Sequence, residues 1–285
     1  MASPLLFPRA LRPVGLLLTL GGLILGYVFI IRHESISFLD SGHGNLTDEL
    51  ASTFVLLGLL FTGFARLKNE NERSIQIRLN ALYWAVLASF LFLFFYWGLE
   101  FACNELKVTV FYHIPTLETY YLHILLFVFV ARFYYLLNRN KSHKAVTFIY
   151  LFAYKSWLPV VRCICVFFFM LMIADISFGW VDSMLKKTIP IEVYMLFPVC
   201  LLMWIWSKEK NEADIQTIAR LKAMQTAVYI NYGLFLTATW CLYGIDYLMA
   251  EIAGLMSTPI IFLFVFYYQS YTLKKNDNLV SPAAS

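Results

Sequence analysis

Four charged residues at matched positions offer the clearest chemistry in this chain. Arg78 with Glu72, and Arg220 with Asp214, stand at one spacing in two versions of a polar stretch, "KNENERSIQIRLNAL" at 68–82 and "KNEADIQTIARLKAM" at 210–224. A guanidinium beside a carboxylate can hold an anionic ligand or dock a protein partner. The plainer use is anchoring, in which arginine at a helix end snorkels to phosphates and is neutralised by a neighbouring acid. We prefer anchoring. A second symmetric pair is Glu100 in "WGLEF" and Asp246 in "YGIDY". Each follows its arginine by a full membrane thickness, about 33 Å of helix in the first case, so arginine and acid cannot meet within one helix. These carboxylates suit a proton or cation site at a cavity mouth, or plain hydration at the interface. Asp175 interrupts an apolar stretch and is a ligand candidate if it lies at hydrocarbon depth; a shorter helix would put it among headgroups.

The loop "RHESISFLDSGHGNLTDEL" carries His33, Asp40, His43, Asp48 and Glu49, all ligand types for a divalent metal. Their spacing matches no metal site, so a solvated loop is expected. His123, beside Tyr120 and Tyr121, invites a haem reading, but a lone histidine without a matched second ligand is better read as packed and hydrogen-bonded. Asn231 in "VYINYG" is expected to bond a neighbouring helix. Five cysteines lie mostly in apolar runs without a CxxC pair and read as small hydrophobes. The chain contains no Walker loop, HExxH, GxSxG or CxxCH. The expectation is a protein with no enzymatic activity, no metal, no cofactor and no nucleic-acid partner.

The elements that must position these residues are membrane helices. Of 285 residues 60% are hydrophobic and only 14% charged, against about 25% charged in soluble domains. The charges cluster between apolar runs long enough to cross hydrocarbon, which takes about 20 residues. The runs do not alternate with polar residues, so helices are expected rather than a barrel. Eight segments follow: 13–31, 50–65, 79–99, 119–138, 158–179, 193–207, 223–245 and 252–273. The first resembles a signal sequence, but "RHE" and not a small-residue cleavage site follows it, so it reads as a retained helix. The run 146–154 is too short to span and reads as interfacial. With both termini cytoplasmic, only Arg32, Lys107, Lys186 and Lys187 of the 22 basic residues fall on the other side.

The doubled stretch marks an internal repeat. At a gapless offset of 142, Lys68, Asn69, Glu70, Arg78, Leu79, Ala81, Ala85 and Val86 recur as Lys210, Asn211, Glu212, Arg220, Leu221, Ala223, Ala227 and Val228. Shared greasiness does not produce polar identities. Weaker echoes flank this core, among them Pro13-Val14 with Pro159-Val160. The expected fold is all-α, about eight transmembrane helices as two tandem parallel four-helix repeats, residues 1–141 and 142–285. Each polar stretch becomes a cytoplasmic arm leading into the third helix of its repeat.

The pattern Glu212-x-Asp214, Arg220, Met224, Ala227-Val228-Tyr229-x-Asn231-Tyr232 resembles that of uncharacterised bacterial multi-pass inner-membrane proteins; the first repeat shares it in part, with Ser89-Phe90 in place of Asn231-Tyr232. The resemblance implies a bacterial inner-membrane protein without assigned chemistry. The function expected is that of a sensor, scaffold or docking protein in the lipid bilayer, with a cytoplasmic or membrane protein partner. The alternative is a small-solute or ion transporter with its site between the repeats, using Asp175, Glu100 and Asp246.

Overall fold

The computed structural model describes residues 5–32, 36, 40–41, 44–105, 120–139, 157–178, 196–209, 214–242 and 245–280. These form eight helices: α1 (Leu11–Arg32), α2 (Thr47–Phe64), α3 (Glu72–Glu105), α4 (Tyr121–Arg139), α5 (Leu158–Phe178), α6 (Leu196–Ile205), α7 (Asp214–Cys241) and α8 (Ile245–Val280). A two-residue antiparallel ladder pairs β1 (Asp40–Ser41) with β2 (Gly44–Asn45). Each helix overlaps one of the eight segments expected. Four of them, α1 to α4, are long and apolar enough to cross a membrane. The interfacial segment expected at 146–154, and His33, His43, Lys107, Lys186 and Lys187, lie outside the described residues.

The chain packs as two compact units, one of residues 1–146 and 224–258, the other of 147–223 and 259–285. In the first unit α1 meets α2 through Gly15, Thr19 and Gly22, which share one helical face. A Cβ on Gly15 would stand 2.7 Å from the Gly58 carbonyl oxygen, and one on Gly22 would stand 2.8 Å from that of Ala51. The two backbones touch, as small residues permit in membrane interfaces. Much of the rest of α1 is exposed apolar side chain, including Leu17, Leu20 and Ile24. Such a face suits lipid, whose chains are as apolar as the side chains they meet.

Before α1 the chain runs beside the end of α2. Phe7 N–H donates to the Phe64 carbonyl at 3.1 Å, and Arg66 N–H to the Phe7 carbonyl at 3.0 Å. The Leu5 carbonyl accepts from Gln225 Nε2 and Tyr229 Oη, both at 2.8 Å. The rings of Phe7, Phe64, Phe129 and Tyr229 close over this junction at centroid distances of 4.7–5.8 Å.

α3 is 34 residues long, about 51 Å. Asn71 caps it reciprocally: Ser74 N–H donates to Asn71 Oδ1 at 2.8 Å, and Asn71 N–H to Ser74 Oγ at 3.0 Å. α3 begins at Glu72, and Asp214 is the first described residue of α7. The polar stretches therefore do extend the helices they precede. In the first unit Lys68, Asn69, Glu72 and Gln76 of the stretch are exposed, whereas Ile77 through Tyr83 are all buried.

Asn231 bonds α8 as expected. Its Nδ2 donates to Thr258 Oγ1 at 2.7 Å and its Oδ1 accepts from Ser257 Oγ. Beside it Tyr232 Oη donates to the Leu122 carbonyl of α4 at 2.5 Å. All five cysteines are free thiols.

Candidate functional site

Arg78 lies nearly two turns into α3, and only 1% of its side chain is exposed. Both terminal nitrogens of its guanidinium are bonded, while Nε is buried without a hydrogen-bond partner. Nη1 and Nη2 meet the two Glu70 carboxylate oxygens at 3.1 and 3.2 Å, and Nη2 also donates to the Ala65 carbonyl at 3.1 Å. The Phe133 ring lies 4.8 Å from its central carbon. Glu70 in turn accepts from Leu67 N–H and Ser74 Oγ. The arginine thus satisfies a carbonyl at the C-terminal end of α2 and fixes the turn into α3.

Arg220 repeats the arrangement in the other unit. It is equally buried, its Nη2 donates to the Ser207 carbonyl at 3.3 Å, and its Nη1 donates to the Ile205 carbonyl. Phe266 lies 4.5 Å from its central carbon. Ala65 and Ser207 each precede their arginine by the same 13 residues. Both arginines therefore depart from the snorkelling expected: their charge faces helix-end carbonyls and rings rather than phosphates. The acid paired with Arg78 is Glu70, not Glu72. Glu72 is exposed, and six residues along a helix place it about 240° around from Arg78. Glu70 precedes the helix, so its carboxylate can fold back.

The remaining expected residues are placed as follows. Asp214 begins α7, Asp175 lies near the end of α5 and Asp246 near the start of α8; their side chains lie outside the described residues. Glu100 is half-buried near the end of α3.

A different constellation forms in the first unit at the opposite ends of α1 and α2. Asp48 and Glu49 in the first turn of α2, and His123 near the start of α4, line one cavity of about 470 Å³ with Ser52, Tyr120 and Tyr247. Its other walls are apolar, from Leu23, Tyr27 and Ile30 of α1 to Phe127 of α4. His123 Nε2 and Ser52 Oγ share a hydrogen bond of 2.9 Å. The other imidazole nitrogen, Nδ1, is buried without a hydrogen-bond partner, as is Glu49 Oε2. Neither Asp48 nor Glu49 is ion-paired with a base among the described residues. Among those residues no group of three His, Cys, Asp or Glu is placed to hold a metal ion. An apolar slot ending in unpaired carboxylates favours an amphiphile with a cationic head.

Sequence reasoning assigned Asp48 and Glu49 to a loop and His123 to packing. The α2–α4 contact that joins them spans 71 residues between Ser52 and His123. The one available signal was that Asp48, Glu49 and Ser52 fall within two turns of a helix. No family model matches the chain, and neither a curated protein nor a solved structure matches it.

Proposed function

We propose that this chain is a non-enzymatic multi-pass protein of the bacterial inner membrane that senses a small cationic amphiphile. In this reading all eight helices cross the bilayer, as two tandem parallel repeats with both termini cytoplasmic. The duplication is supported by the two buried arginines, each donating to the carbonyl 13 residues upstream. The observation that carries the function is the cavity that gathers Asp48, Glu49 and His123 without a basic counter-charge from the described residues. The cavity volume falls in the usual range for small-molecule sites, about 300–1,000 Å³.

The test is thermal unfolding of the purified chain in a neutral detergent, titrated with decylamine or with decanol. Binding to the native state alone raises the unfolding temperature with ligand concentration. Decylamine is expected to stabilise and decanol is not, and Asp48→Asn with Glu49→Gln removes the difference. Equal shifts from both compounds would overturn the reading. The same protein in liposomes separates sensing from transport: protein-dependent uptake of the amine, abolished by Asp175→Asn, would replace the sensor by the transporter.

A further inference from the structure

The polar end of the cavity in the first unit is rich in hydrogen-bond acceptors that the protein leaves unused. Asp48 and Glu49 stand in the first turn of α2, and both line the cavity. An ionised carboxylate only accepts, and no side chain among the described residues donates to either group. His123 meets them from the third position of α4. Its Nε2 is engaged by Ser52 Oγ at 2.9 Å, one turn of α2 beyond Asp48. Its Nδ1 is buried without a partner, and so is Glu49 Oε2.

This inventory separates two kinds of cation. A primary ammonium brings three N–H donors, and a quaternary ammonium of equal charge brings none. An acceptor shut away from water and left unsatisfied costs its full desolvation, and hydrogen bonds between charged groups are the strong ones. A quaternary head is held instead by aromatic faces boxed around it. The rings here are not gathered in that way. Tyr120 and Phe127 are seven residues apart, about 10 Å along a helix. Tyr27, on the α1 wall, is 57% exposed.

We propose that the cavity selects a primary ammonium over a quaternary one, with the N–H groups shared among the Asp48 and Glu49 carboxylates and His123 Nδ1. The proposal rests on the cationic-amphiphile reading above and names the class of head that this site takes. A neutral imidazole donates through one nitrogen and accepts through the other. With Nδ1 accepting from the ligand, Nε2 keeps the proton and donates it to Ser52 Oγ, the bond already present. Charge draws any cation to the two carboxylates; the count of N–H donors decides between cations.

The test uses the full chain in a neutral detergent, titrated with decylamine and its N-methyl, N,N-dimethyl and N,N,N-trimethyl forms. All four are cations at neutral pH, and each added methyl removes one N–H donor. The unfolding temperature is followed, with decanol as the uncharged reference. Apparent affinity is expected to fall at each step and by about tenfold or more in all, the worth of one charged hydrogen bond. Decylamine dimethylated on the carbon beside nitrogen restores the bulk and keeps all three donors, and it is expected to bind like decylamine. His123→Leu removes an acceptor without changing a carboxylate; it narrows the gap between decylamine and the trimethyl form while both still stabilise more than decanol. Equal stabilisation by all four amines, above decanol, overturns the proposal and leaves the cationic-amphiphile reading standing. Decylamine no better than decanol sinks that reading and the proposal with it. The proposal also falls if the carbon-methylated amine binds as weakly as the trimethyl form, because bulk would then set the order without any variant being needed to show it.

Discussion

α1 and α5 occupy comparable places in the two units and show how one element is used in two ways. In the register set by Pro13-Val14 and Pro159-Val160, Gly15, Thr19 and Gly22 of α1 correspond to Val161, Cys165 and Phe168 of α5. The small residues bring α1 down on the backbone of α2. The α5 residues at these positions are larger, and side-chain size sets the distance between packed helices. Cys165, at the place of Thr19, lines an apolar cleft among α5, α6 and α8. Under the proposed duplication, one helical face carries small residues in α1 and larger ones in α5. The junction arginines tell the opposite story, because both units keep the same carbonyl partner position. Under the proposed duplication, the turns between helices were retained and the faces that form cavities diverged.

The hardest test of what is retained is Arg78→Ala. It leaves Glu70 and the Ala65 carbonyl without their partner, and removing one member of a buried ion pair costs about 3–5 kcal/mol. A large fall in unfolding temperature is expected, with Arg78→Lys falling between because an ammonium cannot fork onto both carboxylate oxygens. Arg220→Ala is expected to cost a similar amount. A much smaller loss would break the comparison between the two junctions.

Divergence is tested next by exchange. Gly15→Val installs the α5 residue in α1, where even a Cβ meets the Gly58 carbonyl oxygen at 2.7 Å. Overpacking of this kind costs about 1–3 kcal/mol, read as lost thermal stability. Gly21→Ala, whose Cβ meets nothing within 4 Å, is the matched control and should leave stability unchanged. Smaller effects come from exchanging α7 residues for their first-repeat counterparts. Tyr232→Phe, which copies Phe90, removes the bond to the Leu122 carbonyl and is expected to cost about 1 kcal/mol. Asn231→Ser, which copies Ser89, weakens the bonds to Thr258 and Ser257 by about 0.6 kcal/mol, the average for such bonds within a membrane. Guanidinium or thermal unfolding in one detergent ranks all of them; a larger loss from Asn231→Ser than from Tyr232→Phe would reverse the last two.

Much of the helical architecture was legible in the sequence, because apolar run length is a strong signal when a bilayer sets the scale. That a helix follows each polar stretch was legible too. The partners of the arginines were not. Spacing points to Glu72 and Asp214, yet the identical acids of the repeat are Glu70 and Glu212, and it is Glu70 that pairs with Arg78. Periodicity places a residue on a helix, whereas this pairing depends on a carboxylate in the turn before it. The cavity of Asp48, Glu49 and His123 was illegible for another reason. It exists only because α4 packs on α2, a tertiary contact with no local pattern to announce it.

The double hydrogen bond onto the Leu5 carbonyl has a consequence for biogenesis. Its donors, Gln225 and Tyr229, lie 220 and 224 residues further along the chain. During synthesis, which proceeds from the N-terminus at about 5–20 residues per second, the strand beside α2 must wait in an incomplete setting until α7 has left the ribosome. The first unit is thus the first to be inserted and cannot be the first to be finished. Until α7 arrives, the Leu5 carbonyl lacks its two side-chain donors and the ring of Tyr229 is missing from the cluster over Phe7 and Phe64.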